Sequence, residues 1–394
     1  MKIEFDISDI SDNNKTFFTE MLPYISVHIE KIERTGGKVF AHLTDESFED
    51  EVKEKSEELK SMIRGGKLGD KEIPIKNLVD HSDNEVLYNE PVFEKLIEQE
   101  SVIKIQDGIY AYSGIVLKLI NYFNSKIKEF AYEHFESVKE HEYPVLYPID
   151  KFEKGRYFEN FPHFIMFQTT MKNDIEILDR FAKNGTSDQS IFEEMTVPKN
   201  VLRNAACVPV YEFLENKVLS PQAPEVFLVL GKCFRNESEN VFELARLNEF
   251  TMKEIVFVGT PLQCKNGIDK AKKLWNHWIE VFGLNCKIDT ANDSFFASNY
   301  KKLKLFQVLG DSKQEFKWYI PSSDSYIACS SANFHRTHFT KPYNIKNPDG
   351  TYCNSACFAF GLERMLYALL SQKGIDPHEW DKKTYEEISA YVKL

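Results

Sequence analysis

The most constraining stretch of the chain runs from Glu225 to Val258, EVFLVLGKCFRNESENVFELARLNEFTMKEIVFV. Two apolar runs, Val226 to Phe234 and Phe250 to Val258, flank a polar, charge-rich tip, which is the pattern of a long antiparallel hairpin. Side chains alternate faces along a strand. Arg235 and Glu237 are therefore expected on one face of the first arm, and Phe250, Met252 and Glu254 on one face of the second. The pattern alone leaves two readings open: a guanidinium, two carboxylates and an aromatic ring gathered around a ligand, or a surface hairpin with scattered ion pairs.

A second stretch near the C-terminus, CFAFGLERMLYALL from Cys357 to Leu370, joins a strand-like run to a helical one at Gly361, whose backbone freedom suits a tight strand-to-helix transition. Arg364 then falls in the first helical turn, where the helix dipole disfavours a cation. An anionic ligand removes that conflict, because guanidinium and helix N-terminus both favour negative charge.

FRNE followed by RLNEF resembles motif 2 of class II aminoacyl-tRNA synthetases, and FGLER resembles their motif 3. The resemblance implies that Arg235 binds the ATP α-phosphate, that Phe250 stacks on adenine, that Arg364 binds the γ-phosphate, and that Glu237, Arg246 and Leu247 lie near the nucleotide. It implies an α+β fold: the class II antiparallel sheet flanked by helices in residues 106–394, with a smaller N-terminal α+β domain in residues 1–105. The long amphipathic pattern from Ser113 to Phe135, followed by EYPVLYP closed at Pro148, resembles the degenerate motif 1 and implies a homodimer.

Composition bounds the rest. A chain of 394 residues with 42% hydrophobic content can bury a sizeable core. No apolar run approaches bilayer length and MKIEFDISD is not a signal peptide, so a soluble, cytoplasmic protein without membrane contact is expected. The seven cysteines lack disulfide spacing, consistent with a reducing compartment. The net charge of −12 is uneven: residues 1–110 carry 14 Lys+Arg against 25 Asp+Glu, and the remainder 35 against 36. An acidic N-terminal region is poorly suited to gripping a polyphosphate backbone.

In that region KIEFDI predicts a strand, FFTEMLPYI a short helix, and VHIEKIE and KVFAHLT a hairpin around RTGG. SFEDEVKEKSEELKSMIRGG predicts a helix ending at Gly65 and Gly66, and EIPIKNLV another strand. Its charged helix reads as a solvated outer face, and no motif there carries chemistry. Residues 81–110 read as a connecting segment, and the aromatics of KGRYFENFPHFIMF as core.

Cys207, Glu254 and Cys357 form a candidate metal set that no local spacing rule supports, since a lone buried cysteine is usually a small hydrophobe. The inferred fold supports them: Glu254 shares a strand face with Phe250, and Cys357 begins the strand leading to Arg364. The same positions resemble the zinc ligands of methanogen-type seryl-tRNA synthetases and of the smaller amino acid:carrier-protein ligases. Further matches are YFENFPH, AACVPVY, GKCFRNE, EFTMKEIVFVGTP and SSANFHRTHF, so the resemblance covers Gln106 to Leu370. It implies Zn²⁺ with an open position for a substrate amine; Cys353 is the alternative thiol. Ala328 departs from the pattern, standing where many class II enzymes place a carboxylate that helps hold Mg²⁺. Either Glu315 or other groups hold the metal, or ATP binds with a changed magnesium arrangement. Ser330, Ser331 and Lys313 are candidate nucleotide contacts, or hydroxyls and an amine on ordinary strands.

The resemblance implies activation of a small amino acid as an aminoacyl-adenylate with ATP and Mg²⁺. The acceptor is then the phosphopantetheine thiol of an acyl or peptidyl carrier protein. That reading is favoured because only about thirty residues follow Arg364 and no long coiled coil is present. The alternatives are a methanogen-type seryl-tRNA synthetase-like enzyme that charges tRNA, for which an N-terminal domain of this size argues, and a non-catalytic synthetase-like binding protein.

Overall fold

The structure, a computed structural model, describes residues 1–35, 38–64, 75–291 and 312–394. Among these residues, eight strands form the central sheet in the spatial order Asn77–Asp80, Cys286–Thr290, Lys313–Ile320, Ser325–Arg336, Asn354–Gly361, Glu249–Gly259, Glu225–Phe234 and Lys139–His141. All neighbours are antiparallel except the last pair, which runs parallel.

The hairpin predicted over 225–258 is the outgoing arm Glu225–Phe234 and the return arm Glu249–Gly259, with Val229 opposite Glu254 and Phe234 opposite Glu249. Its apolar runs are continuous, not alternating, because both faces are covered. Val226, Leu228, Ile255 and Phe257 pack into a core shared with the helices Gly114–His134, Pro261–Phe282 and Leu362–Lys373. Phe227, Val229, Val256 and Val258 face a second core with Phe152, Val208, Tyr211 and Tyr343.

Helix Pro261–Phe282 shows how sequence sets an element. Thr260 and Gln263 form a reciprocal capping box, Pro261 opens the first turn, and Gly283, at φ +58°, closes the helix in the left-handed conformation. Its buried positions, Cys264, Ile268, Ala271, Trp275, Trp278 and Phe282, follow helical spacing. Trp275 and Trp278 are fully buried, and removing either side chain costs about 3–5 kcal/mol.

The N-terminal sheet has the order Lys2–Phe5, Lys38–Leu43, Ile29–Thr35. Phe18 of helix Asp12–Met21 and Val52, Leu59 and Ile63 of helix Glu49–Arg64 complete its core. The expected turn at Gly36 and Gly37 and the helix stop at Gly65 and Gly66 lie outside the described residues.

Four expectations change. Asn77–Asp80, predicted to extend the small sheet, pairs with Cys286–Thr290 at the edge of the central one. The segment 81–110 holds a helix, Phe93–Glu98, and the hairpin Val102–Gln106 with Ile109–Tyr112, elements too short for periodicity to show. The strand predicted over EYPVLYP shortens to Leu146–Pro148, which joins a small sheet with Asn200–Leu202 and Met166–Gln168, while Lys139–His141, just before the predicted stretch, joins the central sheet. Gly361 sits at φ −90°, ψ 103°, ordinary extended backbone, so the turn into the helix does not draw on glycine's left-handed freedom.

Candidate active site

A cavity of about 970 Å³ opens on the face of the central sheet, and it gathers residues from four of its strands and from the N-terminal domain. Cys207, Arg235, Glu237, Arg246, Leu247, Phe250, Glu254, Lys313, Ser330, Ser331, Cys357 and Arg364 all line it.

The three candidate metal ligands meet at one end. Cys207 begins the short helix Val208–Phe213, Glu254 lies on the return arm and Cys357 on the next strand, and their ligand atoms all lie within 4.8 Å of one another. Glu254 Oε1 is fixed by the backbone N–H groups of Ala206 and Cys207, both at 3.0 Å. Asn333 Nδ2 donates to the Cys357 sulfur at 3.4 Å, and His335 Nε2 lies 3.6 Å from it.

The proton balance of this cluster suits a cation. The hydrogen bond with Cys357 pushes the Cys207 thiol far up, and burial and the Glu254 charge add to it. Cys357 accepts that bond, which alone would lower it, but burial and the Glu254 charge hold it above the usual thiol range. Burial likewise raises Glu254. Three buried acidic groups this close cannot all ionise alone, and two sulfurs with a carboxylate are a zinc donor set. Cys353 is elsewhere, its sulfur donating to Asn347 Oδ1 at 3.3 Å.

The other end is cationic. Arg364, in the first turn of helix Leu362–Lys373, donates from Nη1 to the Ala328 carbonyl at 3.2 Å. Burial, then the charges of Arg246 and Arg235, pulls its guanidinium below the usual range. Arg235 lies 5.1 Å from the centre of the Phe250 ring and 5.6 Å from that of Phe164. It and Glu237 sit just past the end of the outgoing arm at Phe234, not on its face as the alternation predicted. Glu237 Oε2 is buried with no hydrogen-bond partner and lies 3.6 Å from Arg246 Nη1; the Asn204 side-chain oxygen at the same wall is also buried without one. Three guanidiniums lining one cavity, close enough for Arg246 and Arg235 to act on Arg364, favour an anionic ligand.

Other predicted residues have structural partners. The Ser330 hydroxyl accepts from Trp275 Nε1 at 2.8 Å and donates to the Ala359 carbonyl at 2.8 Å. Ser331 accepts from Asn333 Nδ2 at 2.9 Å, and Lys313 pairs with Glu315 at 3.1 Å. The aromatics of 155–167, expected as core, contribute Tyr157, Phe161 and Phe164 to the cavity wall.

Two contributions escaped the sequence reading. Glu363, 1% exposed, accepts from the Thr251 backbone N–H with both carboxylate oxygens, at 2.9 and 2.8 Å, and so ties the helix carrying Arg364 to the return arm carrying Phe250 and Glu254. The N-terminal domain, in which no chemistry was expected, walls the cavity with Thr16, Phe17, Glu20, Met21 and Tyr24. Glu20 pairs with Arg246 at 2.6 Å, Tyr24 donates to the Asn236 carbonyl at 2.8 Å, and Arg34 donates to Asn240 Oδ1 at 2.7 Å. Only a match across more than 200 positions with no shared motif could have revealed these pairs.

The family profile described as tRNA synthetase class II core domain (G, H, P, S and T) matches residues 192–373. A type-2 serine–tRNA ligase of Methanopyrus kandleri is 26% identical over 266 residues, 62% of this chain and 50% of that protein. An amino acid–[acyl-carrier-protein] ligase of Bradyrhizobium diazoefficiens is 26% identical over 285 residues, 70% of this chain and 83% of that protein. The chain thus spans half the length of the first relative and most of the second. Among solved structures, M. kandleri SerRS in complex with A. aeolicus tRNASec superposes with a TM-score of 0.72 at 20% identity, over 99% of this chain and 77% of that one. With the two motifs on adjoining strands of an antiparallel sheet, residues 192–373 form a class II tRNA synthetase core domain, and type-2 serine–tRNA ligases and amino acid–[acyl-carrier-protein] ligases are among the relatives of the chain.

Proposed function

We propose that the protein activates a small amino acid with ATP and passes the aminoacyl group to the phosphopantetheine thiol of a carrier protein. The observation that carries this reading is the division of one cavity into a thiol–carboxylate end and a triple-guanidinium end. In the first step an amino-acid carboxylate oxygen attacks the α-phosphorus, the bond from that phosphorus to the bridging oxygen breaks, and pyrophosphate leaves. Both reactants are anionic, so catalysis consists of positioning and charge stabilisation. Arg235 and Arg364 are assigned to that task, with Phe250 stacking the adenine and Glu237, Arg246 and Leu247 lining its surroundings. Ser331 and Lys313 remain assigned to the nucleotide side; Ser330 is the weaker assignment because its hydroxyl already has two partners.

Cys207, Glu254 and Cys357 would hold Zn²⁺, which supplies a coordination position for the amine when bound. In the second step the acceptor sulfur attacks the carbonyl carbon, AMP leaves with the bonding pair, and the thiol proton passes to solvent. Residues 106–394 are assigned the chemistry. Residues 1–105, apart from the edge strand Asn77–Asp80, are assigned to closing the nucleotide end. A cytoplasmic homodimer built on Gly114–His134 fits this reading; no helix among the described residues is long and apolar enough to cross a membrane.

A tRNA acceptor is the second reading, favoured by the superposition that extends through the N-terminal domain onto a SerRS bound to tRNA. The acidic balance of residues 1–110 weighs against it. The retained arginines and thiols weigh against a non-catalytic binding protein. The test is amino-acid-dependent exchange of pyrophosphate into ATP across the twenty amino acids, then mass spectrometry after incubation with a phosphopantetheinylated carrier protein or with bulk tRNA. A mass shift on the carrier supports the proposal. Aminoacylated tRNA alone replaces it with the second reading, and no exchange with any amino acid rejects activation.

A further inference from the structure

The Mg²⁺ site that the fold family implies does not fit this chain. Strand Lys313–Ile320 runs antiparallel to Ser325–Arg336, and the register places Glu315 opposite Ser331, Phe316 opposite Ser330, and Lys317 opposite Ala328. Cys329 is thus an extra residue in the second strand, a bulge that shifts the pleat and brings Ala328, three positions before Ser331, to the cavity wall. Ala328 is also where Arg364 is anchored, through its carbonyl. At the point closest to the motif 3 arginine, the strand therefore offers a methyl group and no metal ligand.

Among the described residues, the carboxylates beside this strand position do not replace it. Glu315 is held between Lys313 at 3.1 Å and Lys317 at 3.9 Å. Asp289 is held by Lys317 at 3.2 Å and by Asn77 Nδ2 at 3.0 Å. Among the described residues, the one cluster of three metal-ligating side chains is Cys207, Glu254 and Cys357. Directly opposed strand residues carry their Cβ atoms about 5 Å apart on the same face, so the lysine stem rises beside the Ala328 methyl. Lys317 lines the same cavity as Arg364.

We propose that Lys317 is a nucleotide-binding residue: its ammonium contacts the triphosphate where a carboxylate-held Mg²⁺ would otherwise lie, and Ala328 is small so that the lysine can reach it. This rests on the activation reading. An ammonium delivers a point charge and three donors to phosphate without a coordination shell. Asp289 and Glu315 hold it ready, and phosphate oxygens take over part of that pairing on binding. Any Mg²⁺ that arrives with ATP then stays on the phosphates without a side-chain ligand from this strand.

The test is ATP binding by isothermal titration calorimetry to the full, zinc-loaded chain, with 5′-AMP as a ligand lacking the β- and γ-phosphates. Titrations are run in magnesium-depleted buffer without chelator, so that zinc is kept, and again with Mg²⁺. Wild type is expected to bind ATP about equally in both. Lys317→Met should weaken ATP about tenfold or more in magnesium-free buffer, the loss of a charge-assisted contact, with AMP affected less. The double variant Lys317→Met/Ala328→Glu should regain affinity only with Mg²⁺. Lys317→Arg, which keeps the charge, controls for folding, and the two-buffer comparison on wild type needs no variant. Wild-type binding that falls more than about tenfold without Mg²⁺, together with Lys317→Met behaving as wild type, overturns this inference and leaves activation standing. Absence of ATP binding in both buffers overturns both.

Discussion

At the residue scale, the proposed metal site gathers three buried acidic side chains that cannot all hold charge without a cation among them. The Glu254 carboxylate takes two backbone N–H groups from the turn that carries Cys207, so one short segment positions two of the three proposed ligands. Cys207→Ser, Glu254→Gln and Cys357→Ser are each expected to abolish bound zinc, measured by mass spectrometry of acid-released metal. Cys353→Ser should retain it, because that thiol faces Asn347. Equal zinc in all four variants would remove the metal assignment. The sequence named this trio through the inferred fold and the resemblance, not through any local spacing: Cys357 lies beside Glu254 because the sheet sets it opposite Val256, on the same strand face, and Cys207 joins them through its backbone N–H to Glu254. Glu363 stayed invisible for the opposite reason. In the sequence it is one acidic residue in a first helical turn, and only the fold turns both its oxygens onto Thr251.

At the element scale, the hairpin is rigid because its neighbours leave it no slack. A Cβ on Gly231 would lie 1.6 Å from the Arg203 guanidinium. That guanidinium is itself buried and donates to the Lys232 carbonyl at 2.9 Å and the Tyr143 carbonyl at 3.0 Å. Gly231→Ala is therefore expected to destabilise the protein by about 1–3 kcal/mol, read as a lower urea midpoint; an unchanged midpoint would mean that Arg203 moves freely. The long apolar arms announced this hairpin, since a run buried on both faces needs no periodicity to be recognised. The short strands at Lys139–His141 and Asn77–Asp80 gave no such signal, and pairing alone defines them.

The C-terminal helix Lys382–Ser389 carries a pH-sensitive clamp. Glu387 Oε1 accepts from Tyr122 at 2.9 Å, lies 2.9 Å from His277 Nε2 and pairs with Lys126 at 3.2 Å. Burial works to raise this carboxyl, but the hydrogen bonds from His277 and Tyr122 and the Lys126 charge prevail and hold it at about 2. A carboxyl lowered by folding contributes stability that is present above its ordinary value of about 4.3. That stability is lost as pH falls from there toward about 2. Glu387→Gln should flatten this part of the acid-unfolding profile; a profile identical to wild type would contradict the assignment.

At the scale of the whole molecule, the two parts of the chain share one cavity. The N-terminal domain clamps the tip between the hairpin arms through Glu20 with Arg246, Tyr24 with the Asn236 carbonyl, and Arg34 with Asn240. His163 packs edge-on against Tyr24 with ring centres 5.0 Å apart, its imidazole pushed down to about 4 by burial. Glu20→Ala should weaken this docking by about 1–3 kcal/mol, seen as faster hydrogen exchange of residues 236–248. Unchanged exchange would show that the contact carries no energy. The sequence read a small α+β unit here but assigned it no chemistry, because charge summed over residues 1–110 conceals the few side chains that reach the cavity.

The most direct test is pyrophosphate exchange into ATP, measured on zinc-loaded protein, on zinc-stripped protein and on Cys357→Ser, with each small amino acid in turn. The account predicts exchange with at least one amino acid on the loaded protein and a drop of about a hundredfold or more in the other two. Equal exchange with and without zinc, or none from the loaded protein, would contradict it.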